Sequence, residues 1–155
     1  MKKKLMMILL AIALCVTSVY SVDIKANAGE NVEEEVDYES LLTENALIGN
    51  MESQTWGVYL ASGSSVINDA GSGKIGAGGN TNAAVKCKVT VNVIVERKVN
   101  GSWVRLTSWS ATNTNSYSVM TGKTISVTSG YYYRVRCTHY ASTDTSNSFT
   151  GALWM

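Results

Sequence analysis

The chain has 155 residues, a formal net charge of +1, one histidine, three cysteines and no proline. No cluster of residues has the composition that catalysis, metal binding or nucleotide binding requires. We therefore predict a protein that is not an enzyme, with no cofactor, no metal and no nucleic-acid partner.

The first 28 residues have the pattern of a secretory signal peptide. Lys2–Lys4 form a basic region, Leu5–Val16 an apolar stretch and Ala26–Ala28 a small-residue cleavage site. Cleavage there predicts a secreted, extracellular protein that begins near Gly29 and meets the membrane only before cleavage. A retained membrane anchor is the alternative, because the apolar stretch and its continuation are just long enough to cross a bilayer.

The rest of the chain divides by charge. Residues 29–52 contain eight acidic residues and no Lys or Arg, whereas residues 53–155 contain nine Lys or Arg and three acidic residues, a net charge of +6. We predict that residues 29–52 are a flexible acidic leader, because such a segment buries too little apolar surface to fold. A second interpretation stays open, in which a short helix in Leu41–Ile48 docks the leader as a mask on the basic domain.

The segment from Val85 to Val99 alternates between apolar and polar residues, which predicts a strand with one face on a core. Asn100-Gly101 follows and favours a type I′ turn. Trp103–Ala111 should then run back along Val91–Val99.

Further apolar segments separated by turn signals indicate an all-β antiparallel β-sandwich of seven or eight strands in residues 53–155, with a barrel as the alternative. Thr128–Gly130 is predicted to be a hairpin turn. Since proline is absent, we expect lysine and arginine to protect the sheet edges. The protecting residues would be Lys86, Lys88, Arg97 and Lys98. The remaining predicted strands are Gly57–Ala61, Ser65–Asp69, Lys74–Ala77, Tyr117–Val127, Tyr131–Tyr140 and Phe149–Met155.

Two cysteines follow the signal segment, Cys87 and Cys137, both on the apolar phase of their strands. In an oxidising compartment they predict a structural disulfide worth about 4 kcal/mol in the chain-entropy model. The alternative is two buried free thiols. His139 shares a strand with Cys137 but has no further group to activate a nucleophile.

Aromatic and arginine side chains form a candidate binding surface. Such side chains stack on sugars or hold an anionic polymer. The alternative is that they are ordinary residues of a half-covered sheet. The predicted members, on two outward strand faces, are Tyr132, Arg134, Arg136, Trp103, Arg105 and Trp109.

The residues Val95–Trp103, Trp109, Gly130–Arg136 and His139 resemble a group of small secreted proteins of Gram-positive, clostridial-type bacteria that carry a domain of unknown function. The resemblance covers about Trp56 to Met155 and implies an exported all-β domain without catalytic residues. More loosely, the stretch that begins at Gly130 is similar to the corner and strand of immunoglobulin-like and fibronectin type III domains, which implies the architecture alone.

These observations predict a secreted, non-enzymatic binding or interaction module that acts at the cell envelope or outside the cell. An anionic cell-wall polymer, a glycan or another protein is its expected partner. The alternative function is a secreted antagonist or membrane-active β protein.

Overall fold

The computed structural model describes residues 33–52 and 57–155 of the chain. The predicted signal peptide and its cleavage site lie outside the described residues. No helix in the described part is long and apolar enough to cross a membrane. The elements are β1 (Glu33–Val36), a 3₁₀ turn η1 (Tyr38–Leu41), β2 (Leu47–Asn50), β3 (Leu60–Gly71), β4 (Lys74–Val99), β5 (Ser102–Ser126), β6 (Tyr132–Ala141), β7 (Asp144–Phe149) and β8 (Leu153–Trp154).

Two long strands, β4 and β5, pair antiparallel with each other and contribute to both layers of the fold. In the first layer the strand order is β1-β5-β4-β3-β2. In the second layer the other halves of β5 and β4 are followed by β6, which pairs with β7 and β8. The predicted all-β antiparallel sandwich is thus confirmed, as one sheet folded onto itself.

The core lies between the two layers. Val89, Val91, Val93 and Val95 are completely buried there, as their alternation predicts. The same alternation fails earlier in β4, where Val85 is 44% exposed. The pairing of β4 with β5 shifts register on both sides of Cys87. Each shift moves the side chains that follow it to the other face of the strand.

The hairpin after β4 forms as predicted. Asn100 and Gly101 have φ angles of 50° and 83°, and Val99 lies opposite Ser102. Positive φ at both central residues is the requirement of a type I′ turn.

The prediction of a hairpin turn at Thr128–Gly130 is wrong. β6 pairs with β4, β7 and β8 and not with β5, because β5 ends in the first layer and β6 belongs to the second. The predicted edge protection is wrong for Arg97, which pairs with β5 on one side and with β6 on the other. Lys86 and Lys88 lie between the part of β4 that pairs with β3 and the part that pairs with β6.

The structure corrects the predicted division at Ser53. Within the predicted leader, β1 pairs with residues 122–125 of β5 and β2 pairs with residues 64–67 of β3. Residues 47–50 are therefore a strand and not the end of a docking helix. The acidic segment completes both edges of the first layer.

Small residues explain how η1 packs onto that layer. Tyr38 and Leu41 are 5% and 3% exposed. A Cβ atom at Gly78 would lie 2.8 Å from Leu41 Cδ1, so the outer face needs glycine there. The Tyr38 hydroxyl bonds Ser64 Oγ at 2.8 Å, which fixes the turn further. Two apolar side chains thus outweigh the acidic composition of this segment.

Candidate binding face

The predicted disulfide is not formed, because Cys87 and Cys137 are both free. Cys137 lies opposite Val93 on β4, six residues beyond Cys87. Six residues of extended strand span about 20 Å, whereas the Cα atoms of a disulfide lie less than about 7 Å apart. Burial raises the pKa of the Cys137 thiol far above its usual range, so the thiol stays protonated.

His139 joins the two layers inside the core. Its Nδ1 lies 2.7 Å from Thr81 Oγ1 and its Nε2 lies 2.8 Å from Ser148 Oγ. The ring is completely buried, and burial lowers its pKa to about 4. Gly63 provides the room, since a Cβ atom there would lie 2.5 Å from His139 Cγ. The imidazole is therefore a neutral structural group.

The three acidic side chains beyond residue 53 have structural partners. Asp69 accepts a hydrogen bond from the Gly71 amide in the β3–β4 turn. Asp144 accepts the Tyr59 and Leu60 amides at 2.6 and 3.0 Å, and these bonds to Leu60 and Tyr59 lower the pKa of its carboxyl. Glu96 binds two arginines, as described below. No group of metal-ligating residues occurs in the described ranges.

The outer face of the second layer carries most of the predicted binding residues. Strand register places neighbouring side chains in rows across β8, β6, β4 and β5, for example Trp154 beside Tyr132 and Lys98 beside Trp103. Five of the eight large side chains of this face are exposed and the other three are half-buried. We call the following set the aromatic-basic face: Lys98, Trp103, Arg105, Tyr132, Arg134, Arg136, Phe149 and Trp154.

Cation–π contacts order the middle of the aromatic-basic face. The Arg134 guanidinium lies 4.4 Å from the Trp103 ring centroid and 5.4 Å from that of Phe149. Tyr132 and Trp154 meet edge to face with centroids 4.8 Å apart. Such contacts restrict the rotation of these side chains, because each ring has a packed neighbour.

Glu96 anchors the arginines of this face from below. Its carboxylate accepts Arg134 Nε at 2.6 Å and Arg136 Nε at 3.4 Å, and the residue is only 7% exposed. The two guanidinium groups are therefore held side by side. With Lys98 and Arg105 the face keeps a net charge of +3.

Trp109 is not part of the face, although the sequence places it there. A register shift follows Val95, so that Trp103 lies opposite Lys98 but Trp109 lies opposite the inward-facing Val93. Trp109 packs against the core instead and donates from Nε1 to Thr121 Oγ1 at 3.1 Å. A bulge of this kind reverses which side chains face outward.

Sequence reasoning missed three members of the face, Lys98, Phe149 and Trp154. The two-residue turn fixes the register of the β4–β5 hairpin, so the Lys98–Trp103 pair could have been found from the sequence. Phe149 and Trp154 join the face only through the pairing of β6 with β7 and β8, for which the sequence carries no local signal.

Comparisons with known proteins give a family but no activity. No curated protein matches the chain. The solution structure of R. palustris CsgH is similar with 15% sequence identity and a TM-score of 0.38, over 54% of this chain and 83% of that chain. A family of unknown function, DUF6147, matches residues 26–153, and the chain belongs to this family.

Proposed function

We propose that the protein is a secreted, non-enzymatic module that binds an anionic polymer or glycan of the bacterial cell envelope. The observation that carries this proposal is the aromatic-basic face, where four cationic side chains alternate with four aromatic rings on one outer sheet face. Its net charge of +3 favours a ligand with phosphate or carboxylate groups.

The chemistry of the face suits an extended polymer. Tyr132 is 45% exposed, Phe149 49% and Trp154 58%, so their rings are accessible for stacking on sugars. Arginine pairs with phosphate and carboxylate through two parallel hydrogen bonds. The strand register places these side chains in rows, and an extended chain can follow such a row.

Two further observations support the proposal. The signal-peptide pattern of the first 28 residues favours export, where envelope polymers are accessible. The imidazole of His139 and the carboxylates of Asp144 and Glu96 are all engaged in structural contacts. These groups therefore hold the fold together, which favours binding over catalysis.

A pelleting assay with purified Gram-positive cell walls tests the proposal. We expect the double variant Lys98→Gln/Arg105→Gln to bind at least about fivefold more weakly than the native protein, and added salt to weaken native binding. The matched control is Lys86→Gln/Lys88→Gln, which removes the same charge from exposed positions of β4 outside the face. Equal losses in both variants would contradict a role for this particular face.

Two further arms define the ligand. Walls whose anionic polymers have been extracted should retain less protein, and unchanged retention would point to a neutral glycan. Dye leakage from anionic liposomes at the same protein concentration would instead favour the membrane-active function.

A further inference from the structure

One side of β5 is an open sheet edge. β5 pairs with β4 along its length, but on its other side it pairs only through residues 122–125 with β1. Among the described residues, no strand pairs with the outer side of residues 102–121. Alternate backbone amides and carbonyls of this stretch are therefore available to an added strand.

The usual edge protection is sparse along this stretch. It contains no lysine, and the chain contains no proline. The bulge next to Leu106 and the charge of Arg105 interrupt only its beginning. From Thr107 to Asn113 the strand pairs regularly with residues 89–95 of β4, which gives seven consecutive residues of straight edge. This length is slightly above the commonest strand length of about 5–6 residues, so a full added strand can pair along it.

A groove of about 510 Å³ lies beside this edge, where β1 ends. Trp109 and Ala111 line it from β5, and Glu35 and Asp37 line it from the acidic segment. Strand addition commonly gains its affinity from the backbone and its specificity from such a side-chain pocket. The groove is therefore placed to select one side chain of an added strand.

The charge of the groove indicates which side chain it selects. Its one cation, Lys123, is neutralised by Glu33 at 2.9 Å. Glu35 and Asp37 are exposed and have no ion-pair partner among the described residues. The Lys123 ammonium also lies 5.3 Å from the Trp109 ring centroid, so the groove already holds a cation on that indole. The two free carboxylates favour a second cation.

We propose that the β5 edge from Thr107 to Asn113 binds an extended, basic peptide segment of another protein by strand addition, with a Lys or Arg side chain in the groove beside Glu35 and Asp37. The charge pattern also argues against a second copy as the occupant. Two copies joined at this edge would bring their own acidic segments together, and like charges repel.

Synthetic nine-residue peptides test this inference on the mature protein. The probe alternates Thr and Val with Lys at every third position, and its matched control carries Glu in place of Lys. We expect the Lys peptide to slow hydrogen exchange of amides within residues 107–113 and the Glu peptide to leave it unchanged. Protection of β7 amides alone would overturn the assignment to β5.

Backbone pairing and groove selectivity are tested separately. A version of the Lys peptide that carries N-methyl groups on every residue should not bind, because an added strand needs the backbone amides of one of its two edges. Unchanged binding of this peptide would overturn strand addition. Glu35→Gln/Asp37→Asn should weaken binding about tenfold. Glu34→Gln/Glu39→Gln, with exposed acids outside the groove, should change it far less, and equal losses would overturn the groove assignment.

Two further measurements separate the inference from its alternatives. Lys98→Gln/Arg105→Gln should retain peptide binding, because this edge acts independently of the aromatic-basic face. Sedimentation of the protein alone should show a monomer. A dimer with protected β5 amides would assign the edge to self-association and overturn the peptide proposal.

Discussion

The two outer faces of the sandwich are built largely from the same two strands, yet one is covered and the other is open. On the first layer, Gly78 and Gly122 leave a hollow that Tyr38 and Leu41 fill. On the second layer, the same strands carry large side chains, and no described segment lies over them. Residue size along β4 and β5 therefore decides which face takes the acidic segment and which stays available for a ligand.

The acidic segment and the aromatic-basic face lie on different layers of the sandwich. Glu33 accepts hydrogen bonds from Thr107 and Lys123, both on β5, at 2.6 and 2.9 Å, and the Thr107 bond, followed by the Lys123 bond, lowers the pKa of its carboxyl. It does not reach Arg134 or Arg136, which Glu96 holds. In its described part, residues 33–52, the acidic segment is therefore a structural cover of the first layer and does not lie over the aromatic-basic face.

Weakening the contact between the acidic segment and the first layer should have the largest effect on stability. Leu41→Ala should lower the free energy of unfolding by about 2–5 kcal/mol, because it leaves a cavity over the glycine-lined face. The neighbouring Leu42 is 47% exposed, so Leu42→Ala should cost less than about 0.5 kcal/mol. Urea unfolding of both variants measures the difference. Similar, small losses of unfolding free energy in both variants would mean that the segment is a flexible leader and not a packed part of the fold.

The contact between the layers should make stability depend on pH. The folded pKa of His139 is about 4, and the unfolded pKa of histidine is about 6.5. Between these values only the unfolded chain binds the proton, so stability falls as the pH falls through this window and levels off for this group below pH 4. The total loss is about 3 kcal/mol.

Urea unfolding between pH 7 and pH 4 measures this loss, and an NMR titration measures the imidazole pKa directly. His139→Asn should remove this part of the pH dependence, because His139 is the only histidine of the chain. An imidazole that titrates near pH 6.5 in the folded protein would contradict its burial between Thr81 and Ser148.

How far the sequence predicts this molecule depends on the range of the interactions. The alternation from Val89 to Val95 and the Asn100-Gly101 turn are local signals, and both predict the structure correctly. Trp109 and Val85 face other sides of the sheet than the alternation predicts, because bulges are backbone features that reverse a period of two without any marker in the residue types. Leu41 was misjudged because its binding partner, Gly78, is distant in sequence. Composition gave the acidic charge but not the two apolar anchors within it.

The role of charge on the aromatic-basic face can be tested by changing Glu96, the carboxylate beneath it. Glu96→Gln should lower the free energy of unfolding by about 1 kcal/mol, since Arg134 and Arg136 lose their shared anion but are themselves 24% and 32% exposed to water. The charge of the face rises from +3 to +4, so binding to anionic cell walls should strengthen about twofold. Glu34→Gln changes the same charge on the first layer and should leave wall binding unchanged. Weaker binding of Glu96→Gln would mean that arginine position matters more than charge.

The smallest effect concerns the cysteines, where the sequence and the structure disagree most directly. Cys87→Ser should lower the free energy of unfolding by less than about 1 kcal/mol, because a half-buried thiol without a disulfide makes few contacts. A disulfide between Cys87 and Cys137 would instead be worth about 4 kcal/mol, and reduction of the native protein would remove the same amount. Unreduced intact mass should show both thiol protons. Thiol labelling of the folded protein should modify Cys87 and spare the buried Cys137, whereas a mass two protons lower and no labelling would restore the bridge.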